Sequence, residues 1–387
     1  MPHQRLRFAL PQIQKLSSFW PIVGVLGLRQ VGKTTLLRRL AKVPNGVTLD
    51  DEGTLSDARN SAKVFLAKLD LPVVIDEVQK APGIFDALKV QVDQERIPGQ
   101  YYLTGSTSFS AKLGIRESLT GRIGLMHLFP LTLGEAAGQP MRPHFKSPFH
   151  LQGTRFTIEN FAKQMVKGGL PVPMFARDAG ARDLYWKSWI ETTIYRDTAK
   201  LFGTSYDPDL AMVILRRFGA LLSEGELPTL RHFELPSRKL RSYLAAMEGV
   251  FLLRRLICHE RGIGKDVWIL GDSGLAHYLM SNQPGAGATL SLARHTLLNE
   301  ISAHEEYHGR SLPLVYYKSA TGTPVDLIWN GIPLKITASA TALGWEKRAL
   351  EGAMKALGAK RGLLVAPRER PQLETTGVSV IPWTFWS

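Results

Sequence analysis

Gly27-Leu28-Arg29-Gln30-Val31-Gly32-Lys33-Thr34 fits the pattern G-x-x-x-x-G-K-[ST], and its flanks decide what that match means. Upstream, Pro21 to Leu26 is a short, apolar, β-compatible run. Downstream, Thr34-Thr35-Leu36-Leu37-Arg38-Arg39-Leu40-Ala41 is rich in helix formers. Strand, glycine turn and helix is the context such a loop requires. The glycines let successive N–H groups curl around an anion, and the helix start adds a favourable dipole. On this reading Gly27, Leu28, Arg29, Gln30, Val31, Gly32, Lys33, Thr34 and Thr35 cradle a nucleoside triphosphate. Lys33 reaches the β and γ phosphates and the Thr34 hydroxyl serves magnesium.

Further strands follow. Leu71-Pro72-Val73-Val74-Ile75 ends in Asp76-Glu77, and Gln100-Tyr101-Tyr102-Leu103 ends in Thr104-Gly105-Ser106. Between them Ile84 to Glu95 spaces Phe85, Leu88 and Val92 at helical intervals, so strands and helices alternate as in an α/β layer with a mainly parallel sheet. Ligands of such sheets sit at the carboxyl ends of the strands, where these polar residues fall. Asp76 is placed to hold magnesium, and Glu77 to polarise an attacking water. Thr104 and Ser106 are open to two readings: a hydroxyl on the γ phosphate or on water, or a turn or helix cap. Arg122, in Leu119-Thr120-Gly121-Arg122, is either a cation for transition-state charge, in its own site or a neighbour's, or half of a structural ion pair.

Together the loop, Ile75-Asp76-Glu77-Val78-Gln79-Lys80-Ala81-Pro82, Leu103-Thr104-Gly105-Ser106 and Leu119-Thr120-Gly121-Arg122 resemble the prokaryotic AAA-type ATPases that carry a carboxyl-terminal DUF4143 region. Gly168-Gly169-Leu170-Pro171, Tyr195-Arg196-Asp197 and Gly271-Asp272-Ser273-Gly274-Leu275-Ala276 are similar to later landmarks of that family. The resemblance implies ATP and Mg2+ as ligands and an α/β fold: a P-loop AAA-type ATPase core, a helical and winged-helix middle region, and a small restriction-endonuclease-like terminal domain. In residue numbers these are 1–138, a linker and helical segment at 139–205, a winged-helix-like unit at 206–284 and a PD-(D/E)xK-like unit at 285–387. The Pro-rich stretch Gln139 to Phe149 reads as a linker, and Gly285 to Gly287 as a hinge.

Two details follow from that resemblance. On the helix expected from Leu235 to Leu253, Arg238, Lys239 and Arg241 set cations where DNA phosphates would lie, or else on a merely solvated face. In the terminal unit Glu300 and Asp326 match the first two acids of a nuclease motif. Lys335-Ile336-Thr337 then stands where Glu-x-Lys belongs. A cation in place of a metal ligand, and a threonine in place of the lysine, make this unit a degenerate nuclease remnant expected to bind no metal.

The 387 residues exceed what one hydrophobic core ordinarily serves, and 44% hydrophobic against 21% charged residues fits a folded, soluble chain. The net charge of +14 favours a polyanion, nucleic acid such as double-stranded DNA or an anionic membrane surface, unless the protein is merely basic. The single cysteine, Cys258, excludes an intramolecular disulfide and a cysteine-based zinc cluster. No apolar run reaches the roughly 18 residues of a membrane helix, so the expected place is the cytoplasm, with no membrane partner. A homo-oligomer stays open, because Arg122 has a role to play across an interface. Three functions remain: an ATPase that changes its grip on DNA or a protein partner, a nucleotide-gated switch with little turnover, and a metal-dependent nuclease, which Lys335 and Thr337 argue against.

Overall fold

Strand β1 (Ile22–Leu26) is buried along its whole length, the signature of a strand covered on both faces. In the computed structural model, which describes residues 5–108, 119–143, 156–202, 206–280, 285–320, 322–341, 344–373 and 377–387, it lies inside a five-stranded sheet. The order is β2 (Asn45–Thr48), β3 (Val73–Asp76), β4 (Tyr101–Gly105), β1, β5 (Ile123–His127), all parallel. Helix α1 (Gly83–Gln94) buries Ile84, Phe85, Leu88 and Val92 against one face of this sheet, the spacing that its sequence predicts.

Beyond the sheet the chain turns helical. Helix α2 (Ala179–Glu191) runs into a π-helical turn, Thr192–Thr198. Trp186, Trp189, Ile190 and Ile194 are buried as expected, whereas Leu184 points outward. Helices α3 (Pro208–Ser223) and α4 (Ser237–Gly249) precede an antiparallel hairpin of β6 (Leu253–Cys258) and β7 (Val267–Leu270). α4 stops short of the expected Leu253 because Phe251 takes a positive φ of 60°, which no helix accommodates. Helix, helix, hairpin is an order compatible with the implied winged helix.

Helix α5 (Ala288–Tyr307) is buried on nearly every side and touches all parts of the chain. Its Ser291 hydroxyl donates to Leu222 O of α3 (2.6 Å), Asn299 Oδ1 accepts from Arg254 of β6 (2.7 Å), and Glu306 Oε1 accepts from His127 N of β5 (2.8 Å). A last sheet follows: β9 (Leu327–Trp329), β10 (Ile332–Ile336), β11 (Gly362–Ala366), β13 (Val378–Pro382) and β12 (Gln372–Leu373), with helix α6 (Gly344–Leu357) linking β10 to β11. The short strand β8 (Val315–Tyr316) leaves this unit and pairs with β6.

These links change the expected division into four domains. One apolar cluster runs from Ala9 through Val23, Phe218 and Leu297 to Trp386, so the segments divided at 139, 206 and 285 share a core. The expected hinge is a packed corner: Gly287 N donates to Ser223 O (3.1 Å), and a Cβ there would stand 2.0 Å from the backbone of Glu224. Most of the expected linker, from residue 144 on, lies outside the described residues.

The landmark Gly168-Gly169-Leu170-Pro171 is explained by the other at Gly271 to Ala276. The buried Asp272 carboxylate accepts from Gly169 N (2.8 Å), Leu170 N (3.0 Å) and Gly274 N (2.7 Å), and a Cβ on Gly168 would lie 2.0 Å from its Oδ1. Glycine is required because side-chain oxygen and backbone approach without room for a methyl group.

Candidate nucleotide-binding site

The loop after β1 begins with Gly27, where a Cβ would come within 2.3 Å of Leu128 O. Gln30 (φ 63°) and Gly32 (φ 100°) turn the backbone before the helix that opens at Lys33. The Lys33 ammonium folds back over the loop and donates to Gly27 O (3.1 Å) and Leu28 O (3.0 Å). Burial pushes its pKa below the ordinary lysine value, although Glu77 and Asp76 pull the other way.

Parallel pairing of β1 with β4, and of β4 with β3, brings three strand ends together beside that loop. Thr34 Oγ1 donates to Asp76 Oδ1 (2.9 Å), and the Thr104 hydroxyl donates to the same oxygen. Thr104 Oγ1 also accepts from Glu77 N (3.3 Å). Thr104 therefore orients the two acids and caps no helix. Glu77 adopts a left-handed conformation (φ 55°, ψ 41°), one that costs a non-glycine residue about 1–2 kcal/mol. That turn sets its Oε2 where Ser106 Oγ donates to it (2.9 Å) and Gln79 Nε2 does so as well. Gln79 is a site residue that its sequence position does not single out.

Arg122 is not at this site. β5 starts at Ile123, in register with Ile22 at the amino end of β1, while the phosphate loop follows the carboxyl end. A five-residue strand at roughly 3.3 Å per residue puts about 17 Å between the two ends. Arg122 forms a two-pronged pair with Asp93, Nε–Oδ1 2.6 Å and Nη2–Oδ2 2.7 Å. A role for Arg122 in its own site is thereby corrected to a structural ion pair.

The helical segment instead supplies the loop's other neighbours. Trp189 Nε1 donates to Arg29 O (3.2 Å), Tyr185 OH donates to Gln30 Oε1 (2.7 Å), and Arg29 Nη1 pairs with Asp197 Oδ2 (3.1 Å). Arg196 Nε holds the other oxygen of Asp197 at 3.0 Å. A cavity of about 340 Å³ opens between this π turn and the strand ends, with Arg29, Arg59, Lys80, Arg196 and Lys200 facing Glu77 and Ser106. In sequence, Arg196 and Asp197 stand out only as a family landmark; no periodicity announces a contact spanning 168 residues. Behind the loop, the buried Arg7 donates from Nη1 to Val31 O (2.9 Å) and from Nη2 to Phe129 O (2.6 Å), and pairs with Glu135 (3.1 Å).

The terminal unit departs from the expected acid pair. Glu300 does not meet Asp326: its Oε1 accepts from Leu133 N (2.6 Å), on the side of α5 facing the first sheet. Six residues along a helix turn a side chain by about 600°, so Arg294, on the other side, faces Asp326 instead. Arg294 Nε pairs with Asp326 Oδ1 (2.8 Å) and Lys335 Nζ with Oδ2 (3.4 Å), which also accepts from Ile336 N (2.7 Å). Burial pushes the Asp326 carboxyl up, but the two cations more than offset it and hold it below the usual carboxylate value. Thr337 Oγ1 only accepts from Ser339 N (3.0 Å). Among the described residues no group of three or more His, Cys, Asp or Glu side chains is placed to hold a metal ion. On α4, Arg238, Lys239 and Arg241 are all exposed.

Residues 20–137 match a family described as an AAA domain. Over 384 residues the chain is 28% identical to an uncharacterized protein of Mycobacterium tuberculosis and to one of Mycobacterium bovis, covering 93% of this chain and 80% of each relative. The Walker-type ATPase of Pyrococcus abyssi aligns at 12% identity with a TM-score of 0.37, over 70% of this chain and 94% of that one. Residues 20–137, which hold the phosphate loop, are thus similar to an AAA domain. No described helix is long and apolar enough to cross a membrane.

Proposed function

We propose that this protein binds ATP with magnesium at the loop Gly27 to Thr35, hydrolyses it, and passes the change through the helical segment to a DNA- or protein-binding surface. The observation that carries this reading is the shared oxygen at Asp76. Thr34 donates to it at 2.9 Å, Glu77 follows directly, and the Lys33 ammonium lies over the neighbouring loop. A hydroxyl and a carboxylate are the hard oxygen donors that suit magnesium, which takes few protein ligands and keeps substrate oxygens and water for the rest. Magnesium, when bound there, supplies positive charge to the phosphate oxygens.

In this reading Lys33 leaves the two loop carbonyls for the phosphates, and loop N–H groups bind the remaining oxygens. Glu77, oriented by Ser106 and Gln79, accepts a proton from the attacking water. The cations Arg29, Arg196 and Lys200 line the space where charge develops. A second cavity of about 270 Å³ lies on the far side of the loop between Val31, Gly32, Thr35, Arg39 and Val172, and suits the sugar and base. The bonds from Trp189, Tyr185 and Asp197 to the loop favour a second use of the same site: binding alone shifts the helical segment, and hydrolysis resets it.

For the partner, the exposed Arg238, Lys239 and Arg241 and the net charge of +14 favour double-stranded DNA. The test pairs calorimetry with turnover. Lys33→Ala should lose ATP binding and Asp76→Ala should lose the magnesium requirement together with turnover. Glu77→Gln should bind ATP as the parent does and turn over about 100-fold more slowly. Unchanged ATP hydrolysis by Lys33→Ala refutes the site. DNA affinity that does not weaken with salt refutes the partner.

A further inference from the structure

A further cavity among the described residues shares no lining residue with the two beside the phosphate loop. It holds about 430 Å³ between the β6–β7 hairpin, the turn at Leu230–His232 and the segment leading into β9, within the range of ordinary small-molecule sites. Its floor is the Arg294–Asp326 pair. Lys335 already shares that carboxylate, so Asp326 brings no net negative charge to the cavity. Arg294, which lines the cavity, spends Nε on Asp326 and Nη1 on Gly225 O (2.7 Å), while its Nη2 has no hydrogen bond among the described residues.

Three more cations surround the mouth. Arg231, Lys265 and Lys318 are exposed and have no ion pair among the described residues. The acid Glu226 stands opposite His232, at 3.8 Å, and leaves these three free. Part of the lining is apolar: Leu227, Ile263, Val267 and the ring of Tyr316, whose OH donates to Lys265 O (2.5 Å). Unpaired cations around a cavity lined in part by aliphatic side chains and a tyrosine ring suit a ligand that joins a phosphate to an aromatic base.

We propose that this cavity binds a nucleoside monophosphate, free or as the 5′-terminal nucleotide of a single strand. Arg231, Lys265 and Lys318 take the phosphate, the Arg294 guanidinium takes an oxygen of the sugar or phosphate, and the base lies against the apolar lining.

The test is calorimetry on the full chain with three probes: adenosine monophosphate, a 5′-phosphorylated trinucleotide and the same trinucleotide with a 5′-hydroxyl. At least one phosphorylated probe should bind, and the hydroxyl form should bind about tenfold more weakly or worse. Uptake of adenosine monophosphate identifies a free nucleotide, and uptake of the trinucleotide alone identifies a strand end. Arg231→Glu with Lys318→Glu should weaken the binding by at least about tenfold, as two reversed charges beside a phosphate require. Lys63→Glu with Lys89→Glu, two exposed lysines beside the first sheet, should leave it unchanged. ATP binding retained by the Arg231→Glu, Lys318→Glu chain shows that it is folded and separates this site from the phosphate loop. Absence of binding at millimolar concentration, equal binding of the two trinucleotides, or indifference to the double reversal would each overturn the proposal.

Discussion

Arg29 of the phosphate loop and Asp197 of the π-helical turn form an ion pair of 3.1 Å across 168 residues of chain, so the loop and the helical segment are one electrostatic unit. The same carboxylate holds Arg196 at 3.0 Å. A triphosphate in the loop competes with Asp197 for both guanidinium groups. Asp197→Ala should therefore bind ATP several-fold more tightly, while ATP no longer alters protease sensitivity between residues 179 and 202. Calorimetry and limited proteolysis read the two effects. Unaltered nucleotide-dependent protection in the variant would show that coupling runs elsewhere.

Arg122→Ala separates the corrected reading from its rival. As half of a pair with Asp93 at the far end of the sheet, Arg122 should be dispensable: turnover within about twofold of the parent, since exposed pairs contribute little. A collapse of turnover, accompanied by self-association on sizing, would instead put Arg122 in a neighbouring subunit's site.

Asp326→Ala should fail as a nuclease test and succeed as a stability test. Neither the parent nor the variant should cleave plasmid with magnesium or manganese. The variant should lose about 3–5 kcal/mol, because Arg294 and Lys335 stay buried without a counter-charge. Equal denaturation midpoints in urea would remove the ion pair from any structural role, and metal-dependent cleavage by the parent would restore the nuclease.

Glu300 gives the chain a pH dependence on the alkaline side. Burial pushes its carboxyl up from 4.5 to about 8, against one backbone bond from Leu133. Below 4.5 the folded and unfolded chains both carry the proton. As pH rises toward 8 the unfolded chain releases it and the folded chain keeps it, so stability falls across that window, by about 1.4 kcal/mol per pH unit at most. His127, depressed to about 3, and His295, to about 4, act in the opposite direction, but only below their ordinary 6.5. Between pH 6.5 and 8 the parent should lose thermal stability and Glu300→Gln, neutral throughout, should hold it. Parallel melting curves for the two chains over that range would contradict this account.

How far a sequence discloses such a site depends on how local the cause is. The loop, β3 with Asp76-Glu77 and β4 with Thr104 and Ser106 are legible because each is set by residues adjacent in the chain: a glycine turn, an apolar strand, a polar strand end. Their convergence follows from the parallel sheet, which the alternating pattern implies. Arg122 stayed open between a catalytic cation and a structural ion pair because its place in the sequence does not say which end of a parallel strand it stands at; the register of Ile22 with Ile123 does. Glu300 misled for a helical reason: helical spacing fixes its rotation relative to Arg294, but which of the two faces Asp326 depends on how α5 is seated among its neighbours. The contacts of Asp197, Tyr185 and Trp189 with the loop are products of tertiary packing, and no local pattern encodes them.

The reach of Arg7 bears on how the protein is made. Its guanidinium donates to the loop at Val31 O and to the hydroxyl of Tyr307 on α5 (3.4 Å), which also accepts from Phe129 N at 3.1 Å beside the first sheet. During synthesis the ribosome delivers the phosphate-gripping segment long before it delivers α5. Val31, Phe129 and Glu135 are on hand to hold Arg7 from the start, but the Tyr307 side of that support arrives only with the last third, and a truncated product would leave that surface uncovered.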